Sequence, residues 1–298
     1  MWSGLRPSLG LLMIPLLAGC RLPGMDGPVS RSLASSRQMS QQGVAALERG
    51  QWEEAETVLS HAVSICPSNP DARRGYADAL WNRGSRREAI AQLEQAQRLA
   101  PEDATLCVRM AEMRLALGQT GLAMDSAQRA IDLDPRLADA WAARARVMRA
   151  ADRPADALAD YQRALGYQPQ DRTIPLEMAE VYGQTNQPQR ALATLQGLAE
   201  RYPTGEEPQR VLYLEGLAQM ALGRFPEAAE SLSAAAAREK PTPELLYRLA
   251  EARMSAGYRE EAAAAAREAL ALDPRHQPSQ QLLQRVELAG QPRGLATR

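Results

Sequence analysis

The feature that most constrains the fold is a column of alanines that returns at an almost fixed interval along the chain. Aligning QWEEAETVL (51–59), SRREAIAQL (85–93), RPADALADY (153–161) and RFPEAAESL (224–232) places the same alanine in each stretch. The column comprises Ala55, Ala89, Ala123, Ala157, Ala191, Ala228 and Ala262, at intervals of 34 residues except for one of 37. A fixed period of this length predicts stacked repeats, each of which buries its apolar face against its neighbours.

Two more columns of small residues keep the same register. One lies twelve positions before the first column and holds Gly43, Ala77, Ala111, Ala145, Ala179, Gly216 and Ala250. The other lies seven positions after it and holds Ala62, Ala96, Ala130, Ala164, Leu198, Ala235 and Ala269. Small side chains at fixed positions indicate that backbones approach closely there, because larger side chains would overpack the contact. Each repeat is therefore predicted to be a pair of antiparallel helices.

Turn residues and prolines divide the chain at the same period. The turn residues tolerate left-handed backbone geometry and are Gly50, Gly84, Gly118, Asp152, Asn186, Gly223 and Gly257. The prolines close the repeats and are Pro67, Pro101, Pro135, Pro169, Pro203 and Pro274. Because proline stops one helix and is tolerated in the first turn of the next, we expect these prolines at the junctions between repeats.

This combination resembles the tetratricopeptide repeat family over residues 36 to 276. The resemblance implies an all-α, right-handed superhelical solenoid of about seven helix-turn-helix repeats. The predicted repeats are 36–69, 70–103, 104–137, 138–171, 172–205, 209–242 and 243–276. The sixth departs most from the pattern, since Glu206 to Pro208 are inserted before it and Lys240 replaces the closing proline. Residues 277–290 are predicted as the polar-faced capping helix that such stacks need, and 291–298 as a flexible tail.

The first twenty residues carry a different pattern. Arg6 precedes an apolar run over 9–17, which has about the length of a signal-peptide core and is shorter than the roughly 20 residues of a membrane-spanning helix. The run ends in LAGC (17–20), which resembles the lipobox of bacterial lipoproteins. The resemblance implies that residues 1–19 are removed as a signal peptide and that Cys20 is lipidated. The alternative is an ordinary secretory signal with a chance cysteine.

Residues 20–35 are predicted as the lipidated cysteine and a tether, since RLPGMDGP (21–28) contains Pro and Gly without periodicity. Several acyl chains on one cysteine hold a protein stably at a membrane. The lipoprotein resemblance thus implies a protein of the cell envelope that faces the periplasm. Arg21 stands where some lipoproteins carry an aspartate that retains them in the inner membrane, which favours the outer membrane.

Composition and motifs favour neither catalysis nor nucleic-acid binding. The 35 basic and 36 acidic residues leave a net charge of −1, so no overall field would attract a polyanion. His61 and His276 lie in different repeats, and the sequence has no HExxH motif, phosphate-binding glycine loop or metal-spaced Cys/His cluster. We therefore predict a noncatalytic protein that needs no cofactor or metal and has neither nucleic acid nor a small-molecule substrate as a partner.

Cys66 and Cys107 remain after lipidation. A disulfide is chemically permitted outside the inner membrane. However, the whole second repeat separates the two residues, so their Cα atoms should lie farther apart than the roughly 7 Å that a disulfide allows. Two small buried thiols are therefore favoured over a disulfide.

The family resemblance also implies where a partner binds. In tetratricopeptide proteins the first helix of each repeat lines a concave groove through its positions 2, 5, 9 and 12. In this chain those positions predict a charged part, represented by Arg74, Asp78, Trp81, Glu112, Arg146 and Arg149, and an apolar part, represented by Tyr213, Leu217, Met220, Tyr247 and Met254. Aromatic and arginine side chains often dominate interfaces, and methionine adapts to varied shapes. The alternative for Tyr213, Met220, Tyr247 and Met254 is packing against the C-terminal cap.

These patterns together predict a membrane-anchored scaffold that binds a peptide or a partner helix in its groove. Lipoproteins of this architecture resemble accessory proteins of pilus assembly and of secretion pores, so assembly of such an envelope complex is the favoured role. A scaffold for exopolysaccharide export and an adaptor for an envelope hydrolase are the alternatives.

Overall fold

The computed structural model describes residues 28–290, and within them the chain forms α-helices and no strand. The predicted lipobox and Cys20 lie outside the described residues. The helices are α1 (Pro28–Glu48), α2 (Trp52–Ile65), α3 (Pro70–Asn82), α4 (Arg86–Leu99), α5 (Ala104–Ala116), α6 (Thr120–Leu133), α7 (Ala138–Ala150), α8 (Pro154–Tyr167), α9 (Thr173–Gln184), α10 (Pro188–Ala199), α11 (Gln209–Ala221), α12 (Phe225–Arg238), α13 (Pro243–Ser255), α14 (Arg259–Leu272) and α15 (Gln277–Gly290).

The helices belong to two compact units. One unit ends at Leu99 and contains α1 to α4, and the other begins at Ala100 and contains α5 to α15. In each unit consecutive helices pack against each other as pairs, and α15 packs on α14 and α13. The predicted all-α solenoid of paired helices is therefore confirmed. The repeat columns continue without interruption through residue 100 and do not predict the division.

The turns between paired helices have the predicted left-handed geometry. The backbone angle φ is positive at all seven positions: Gly50, Gly84, Gly118, Asp152, Asn186, Gly223 and Gly257. Asp152 and Asn186, at 57° and 55°, are the only non-glycine residues of the described chain in this region. Both are residue types whose short polar side chain makes this conformation accessible.

The small-residue columns lie at the contacts between helices. Every alanine in the three columns is buried, with an exposed fraction of 3% or less. Glycine replaces alanine where the facing residue comes closest: a Cβ on Gly216 would lie 2.5 Å from Cγ of Leu232, and a Cβ on Gly43 would likewise collide with Leu59. The columns are small because the backbone of one helix approaches a leucine of the other.

Two boundaries differ from the predictions. The six closing prolines lie in the loops after second helices and do not begin the next helix; other prolines, such as Pro70 and Pro154, occupy first turns. Helix α1 begins at Pro28, so residues 28–35 of the predicted tether are helical.

A buried polar cluster joins three helices of the first unit. Asn69 caps α3, because its Oδ1 accepts hydrogen bonds from the backbone N–H groups of Asp71 and Ala72. Its Nδ2 donates to Oγ of Ser36 on α1 over 2.9 Å, and that hydroxyl donates to the carbonyl of Ala62 on α2 over 2.8 Å. One side chain thus connects the start of α3 to the pair before it.

A buried ion pair has a similar role in the second unit. Arg144 on α7 makes two hydrogen bonds to Asp160 on α8, of 2.7 and 2.9 Å, and the carboxylate side chain is only 6% exposed. Hydrogen bonding to Asp160 raises the pKa of Arg144 against the opposing effect of burial. The guanidinium groups of Arg144 and Arg163 lie 4.8 and 4.7 Å from the ring centroid of Trp141.

Enlarging the alanine column should loosen the chain locally. Ala123 on α6 is fully buried, and Ala123→Leu should cost about 1–3 kcal/mol by overpacking. Since each repeat contacts only its neighbours, amide hydrogen exchange should accelerate chiefly over residues 104–137. Ala116→Leu, at an exposed position of α5, is the control and should leave exchange unchanged. Uniform acceleration throughout the second unit would contradict local coupling.

Breaking the buried ion pair should destabilise the second unit more than breaking an exposed one. Asp160→Ala leaves Arg144 without its carboxylate in a buried setting and should lower the free energy of unfolding by about 3 kcal/mol. Asp156→Ala on the same helix removes an exposed pair with Arg153 and should cost no more than about 1 kcal/mol. Urea titration followed by circular dichroism measures both, and equal losses would show that Asp160 has no special role.

Candidate partner-binding groove

The residues predicted to line the groove all lie on the first helix of a pair, and each side chain is half-buried. In the first unit these residues are Arg74, Asp78 and Trp81 on α3. Arg74 lies 3.6 Å from the carboxylate of Asp71, and the guanidinium of Arg86 lies 5.5 Å from the ring centroid of Trp81. Arg74 and Trp81 thus each have a charged side chain beside them.

In the second unit, charged residues on successive first helices form an ion-pair ladder. Glu112 on α5 accepts from Arg109 over 3.0 Å and pairs with Arg146 on α7 over 3.4 Å. Nε of Arg146 also lies 2.9 Å from Glu177 on α9. A cleft of about 340 Å³ between these helices is lined by Arg109, Glu112, Arg146 and Asp139, among others. The ladder therefore connects three successive repeats.

The ladder continues through a second carboxylate. Glu180 on α9 pairs with Arg149 on α7 over 3.1 Å and with Arg210 on α11 over 2.6 Å. Two arginines thus share one carboxylate, which leaves a net positive charge at this end of the ladder.

Sequence reasoning found part of the ladder and missed the rest. It selected Glu112, Arg146 and Arg149 but not their partners, which are Arg109, Glu177, Glu180 and Arg210. A signal was present for Glu180, because it stands in the same column as Glu112 and Arg146, each 34 residues after the last, although its own partners are Arg149 and Arg210. Alternation of charge sign along one column of a repeat array indicates ion pairs between repeats.

Burial and neighbouring charges determine the protonation states of Arg146 and Tyr161. Burial acts to lower the pKa of Arg146, but Glu177 and Glu112 outweigh it and raise the pKa above its ordinary value. Tyr161 on α8 is fully buried beside this arginine, and burial, with a further contribution from Glu177, raises the pKa of its hydroxyl far above the usual value. Arg146 therefore stays charged and Tyr161 stays neutral at any physiological pH.

The apolar part of the predicted groove lies on α11 and α13. Tyr213, Met220, Tyr247 and Met254 pack against a buried cluster that includes Leu282 and Val286 of α15. The ring of Tyr247 also meets His276, just before α15, edge to face at 5.8 Å. Part of each of these four side chains is thus used in internal packing. Leu217 is not in this cluster.

An apolar cleft of about 500 Å³ lies between α9, α10 and α11. Its lining is mostly small or apolar and includes Ala179, Gly183, Pro188, Ala191, Tyr213, Leu214, Leu217, Ala218 and Ala221. Glu180 and Arg210, which form the last ion pair of the ladder, also line it. The cleft thus places apolar surface beside the positively charged end of the ladder.

Within residues 28–290 other predicted features can be located. Cys66 and Cys107 are both buried, as expected. No helix in the described range is both long and apolar enough to cross a membrane. Across the same residues, His, Cys, Asp and Glu side chains form no group of three or more that could hold a metal ion.

Tandem pairs of antiparallel helices with small-residue contacts, left-handed turns and a polar-faced cap define a helical-repeat protein of the solenoid class. Tetratricopeptide repeat models match residues 46–106, 148–212 and 213–276, which together exceed half of the chain. The chain belongs to the tetratricopeptide repeat family. This fold is typically a noncatalytic scaffold for protein interactions.

Solved structures with the same fold share little sequence with this chain. A tetratricopeptide repeat protein from Parabacteroides merdae is 15% identical, with a TM-score of 0.59 over 85% of this chain and 99% of that one. PilW, described as a widely conserved type IV pilus biogenesis factor, is 19% identical, with a TM-score of 0.65 over 72% and 98%. YrrB, described as having an unusual peptide-binding site, is 18% identical, with a TM-score of 0.53 over 63% and 96%. No curated protein matches the sequence.

Proposed function

We propose that this protein is a membrane-anchored scaffold of the bacterial cell envelope that binds a peptide or partner helix along its first helices. The observation that carries the proposal is the apolar cleft between α9, α10 and α11, which lies on the predicted groove residues Tyr213 and Leu217. Clefts with apolar linings and a few polar groups are the usual sites of ligand recognition. The reported peptide-binding site of YrrB, a protein of the same fold, agrees with a peptide as partner.

The anchor in this proposal is the lipid on Cys20. Its support is the LAGC tetrapeptide after an apolar run of signal-peptide length. Since α1 begins at Pro28, only residues 21–27 separate the lipidated cysteine from the first helix. Seven residues reach no more than about 25 Å even if fully extended, so the repeats would lie close to the membrane surface. We place the protein on the periplasmic side, with the outer membrane favoured by Arg21.

Assembly of a pilus or a secretion system is the favoured pathway. It is supported by the architecture and by the likeness in fold to PilW, which is itself a pilus biogenesis factor. Exopolysaccharide export and an adaptor role for an envelope hydrolase are the alternatives. The neighbouring genes distinguish these three roles. Pilin and secretin genes would indicate pilus or secretion assembly, polysaccharide synthase genes would indicate exopolysaccharide export, and a protease gene would indicate the adaptor role.

Removing the thiol of Cys20 should abolish the anchor. Cys20→Ser should leave an unprocessed precursor without acyl chains, because a hydroxyl is a much poorer nucleophile than a thiol. Metabolic labelling with palmitate and mass spectrometry of the N-terminus measure the outcome. Cys66→Ser, at a buried position of the repeats, is the matched control and should be labelled normally. A mature protein that carries no acyl mass on its N-terminus would refute the lipid anchor.

A photo-cross-linker placed in the groove should capture the partner, whereas a photo-cross-linker placed on a second helix should not. We would place benzoylphenylalanine at Leu217, in the apolar cleft, and at Leu122, which is 49% exposed on the second helix α6. In intact cells the Leu217 position should give a discrete adduct and the Leu122 position should give none. Mass spectrometry then identifies the captured protein and shows whether it is a pilus or secretion component, an export porin or a hydrolase. Equal adducts at both positions would contradict groove binding.

A further inference from the structure

We propose that the apolar cleft between α9, α10 and α11 binds a bulky apolar side chain of a peptide whose neighbouring residue is acidic. This inference rests on the proposed function and gives the partner a definite chemistry. It depends on three properties of the site: the volume of the cleft, the composition of its lining and the charge beside it.

The volume and lining favour one large apolar side chain. An apolar cavity of roughly 150 Å³ already admits a benzene ring, and this cleft measures about 500 Å³. Three of the lining residues contribute only methyl groups and are buried: Ala179, Ala191 and Ala218. Three larger lining residues are half-buried, so part of their apolar surface is accessible to a ligand: Tyr213, Leu214 and Leu217. Covering that surface removes apolar area from water, which is favourable at about 25 cal/mol per Å².

The charge beside the cleft favours an acidic neighbour. Glu180 is the carboxylate shared by Arg149 and Arg210, so these three side chains carry a net charge of about +1. The side chain of Arg210 is 56% exposed and lines the cleft, so its guanidinium has N–H donors that can reach a ligand. Charge-assisted hydrogen bonds from arginine to a carboxylate are strong and directional. A peptide with aspartate or glutamate beside its apolar residue complements both parts of the site.

Farther along the ladder the charges are already balanced. Arg109, Glu112, Arg146 and Glu177 comprise two cations and two anions in mutual contact. On the other side of α11, Glu244 pairs with Arg248 over 2.7 Å and lies 3.5 Å from His276. On that side Arg210 and Tyr213 also line a second cleft with Glu239 and Glu244. On the side of the apolar cleft, Glu180 is the one carboxylate that pairs with Arg210, and it is shared with Arg149, which favours an acidic residue of the peptide there.

Gly183 on α9 offers a variant that fills the cleft without disturbing the fold. It lines the cleft, and a Cβ placed on it would have no heavy atom within 4 Å. Gly183→Leu should therefore fold normally, with a gain in helix propensity, while its side chain occupies the cleft. Gly197→Leu is the matched control, because this exposed helical glycine of α10 also has no neighbour within 4 Å but does not line the cleft.

The test uses a phage library of random 12-residue peptides, panned on the full-length protein. Enriched peptides should combine Leu, Phe, Met or Trp with an adjacent Asp or Glu. Measured by fluorescence polarisation, Gly183→Leu should weaken binding of the best peptide at least tenfold, and Gly197→Leu should leave it unchanged. Arg210→Gln keeps the Arg149–Glu180 pair and should weaken binding of the same peptide about tenfold. When the acidic residue of the peptide is replaced by its amide, Arg210→Gln and the wild type should bind that peptide equally.

The outcomes separate this inference from the proposed function. Enriched peptides that bind wild type and Gly183→Leu equally would overturn the cleft as the site and leave groove binding in place. Enrichment without acidic residues, or binding that Arg210→Gln does not change, would overturn the charge preference. No enriched peptide above background would overturn both this inference and peptide binding by the groove.

Discussion

The close approach of the two helices in each repeat is the contact on which the remaining structure depends. The approach is very close where Gly43 faces Leu59 and where Gly216 faces Leu232, since any side chain on either glycine would overlap the leucine. Such proximity requires small residues at fixed positions, and a left-handed turn returns the second helix along the first. Because these requirements recur in every repeat, the first helices of each unit lie in register, and within a unit their outward residues become neighbours from one repeat to the next.

This register explains why charges on the first helices of the second unit are paired with each other. Residues about 34 apart, such as Glu112 and Arg146, are brought within ion-pair distance by the stacking alone. Half-buried pairs of this kind hold neighbouring repeats in a defined orientation, although each pair contributes modestly to stability. A partner that competes for the paired residues must break contacts inside the protein. Recognition is therefore better served by the apolar cleft and by those N–H donors of Arg210 that its pair with Glu180 does not use.

Much of the fold could be predicted from the sequence because the physical requirements are local and recur. The turn at Asp152 is an example, since its residue type and its place in the period both indicate left-handed geometry, and φ there is 57°. The division after Leu99 could not be predicted, because no change in the repeat columns marks it. Glu177 and Arg109 were missed because they lie outside the groove positions of the family pattern, whereas Glu180 and Arg210 occupy such positions and were not selected. Their importance depends on side-chain reach between repeats, which a period does not encode.

The candidate site lies where the sequence departs most from its own pattern. Most second helices are joined to the next first helix by four or five residues, whereas nine residues, 200–208, join α10 to α11. A longer connection relaxes the constraint that a short loop places on the helix after it, so α11 need not close against α9 and α10 as tightly as a regular repeat would. Gly183 and four alanines in the lining of the cleft leave further space there. Regular repeats bury their apolar surface against one another, and an interruption of the period leaves some of it accessible. In this chain the insertion and the accessible apolar surface occur at the same junction, next to an arginine whose carboxylate partner is shared. The insertion before the sixth repeat thus accounts for accessible apolar surface at the junction where we propose that a partner binds.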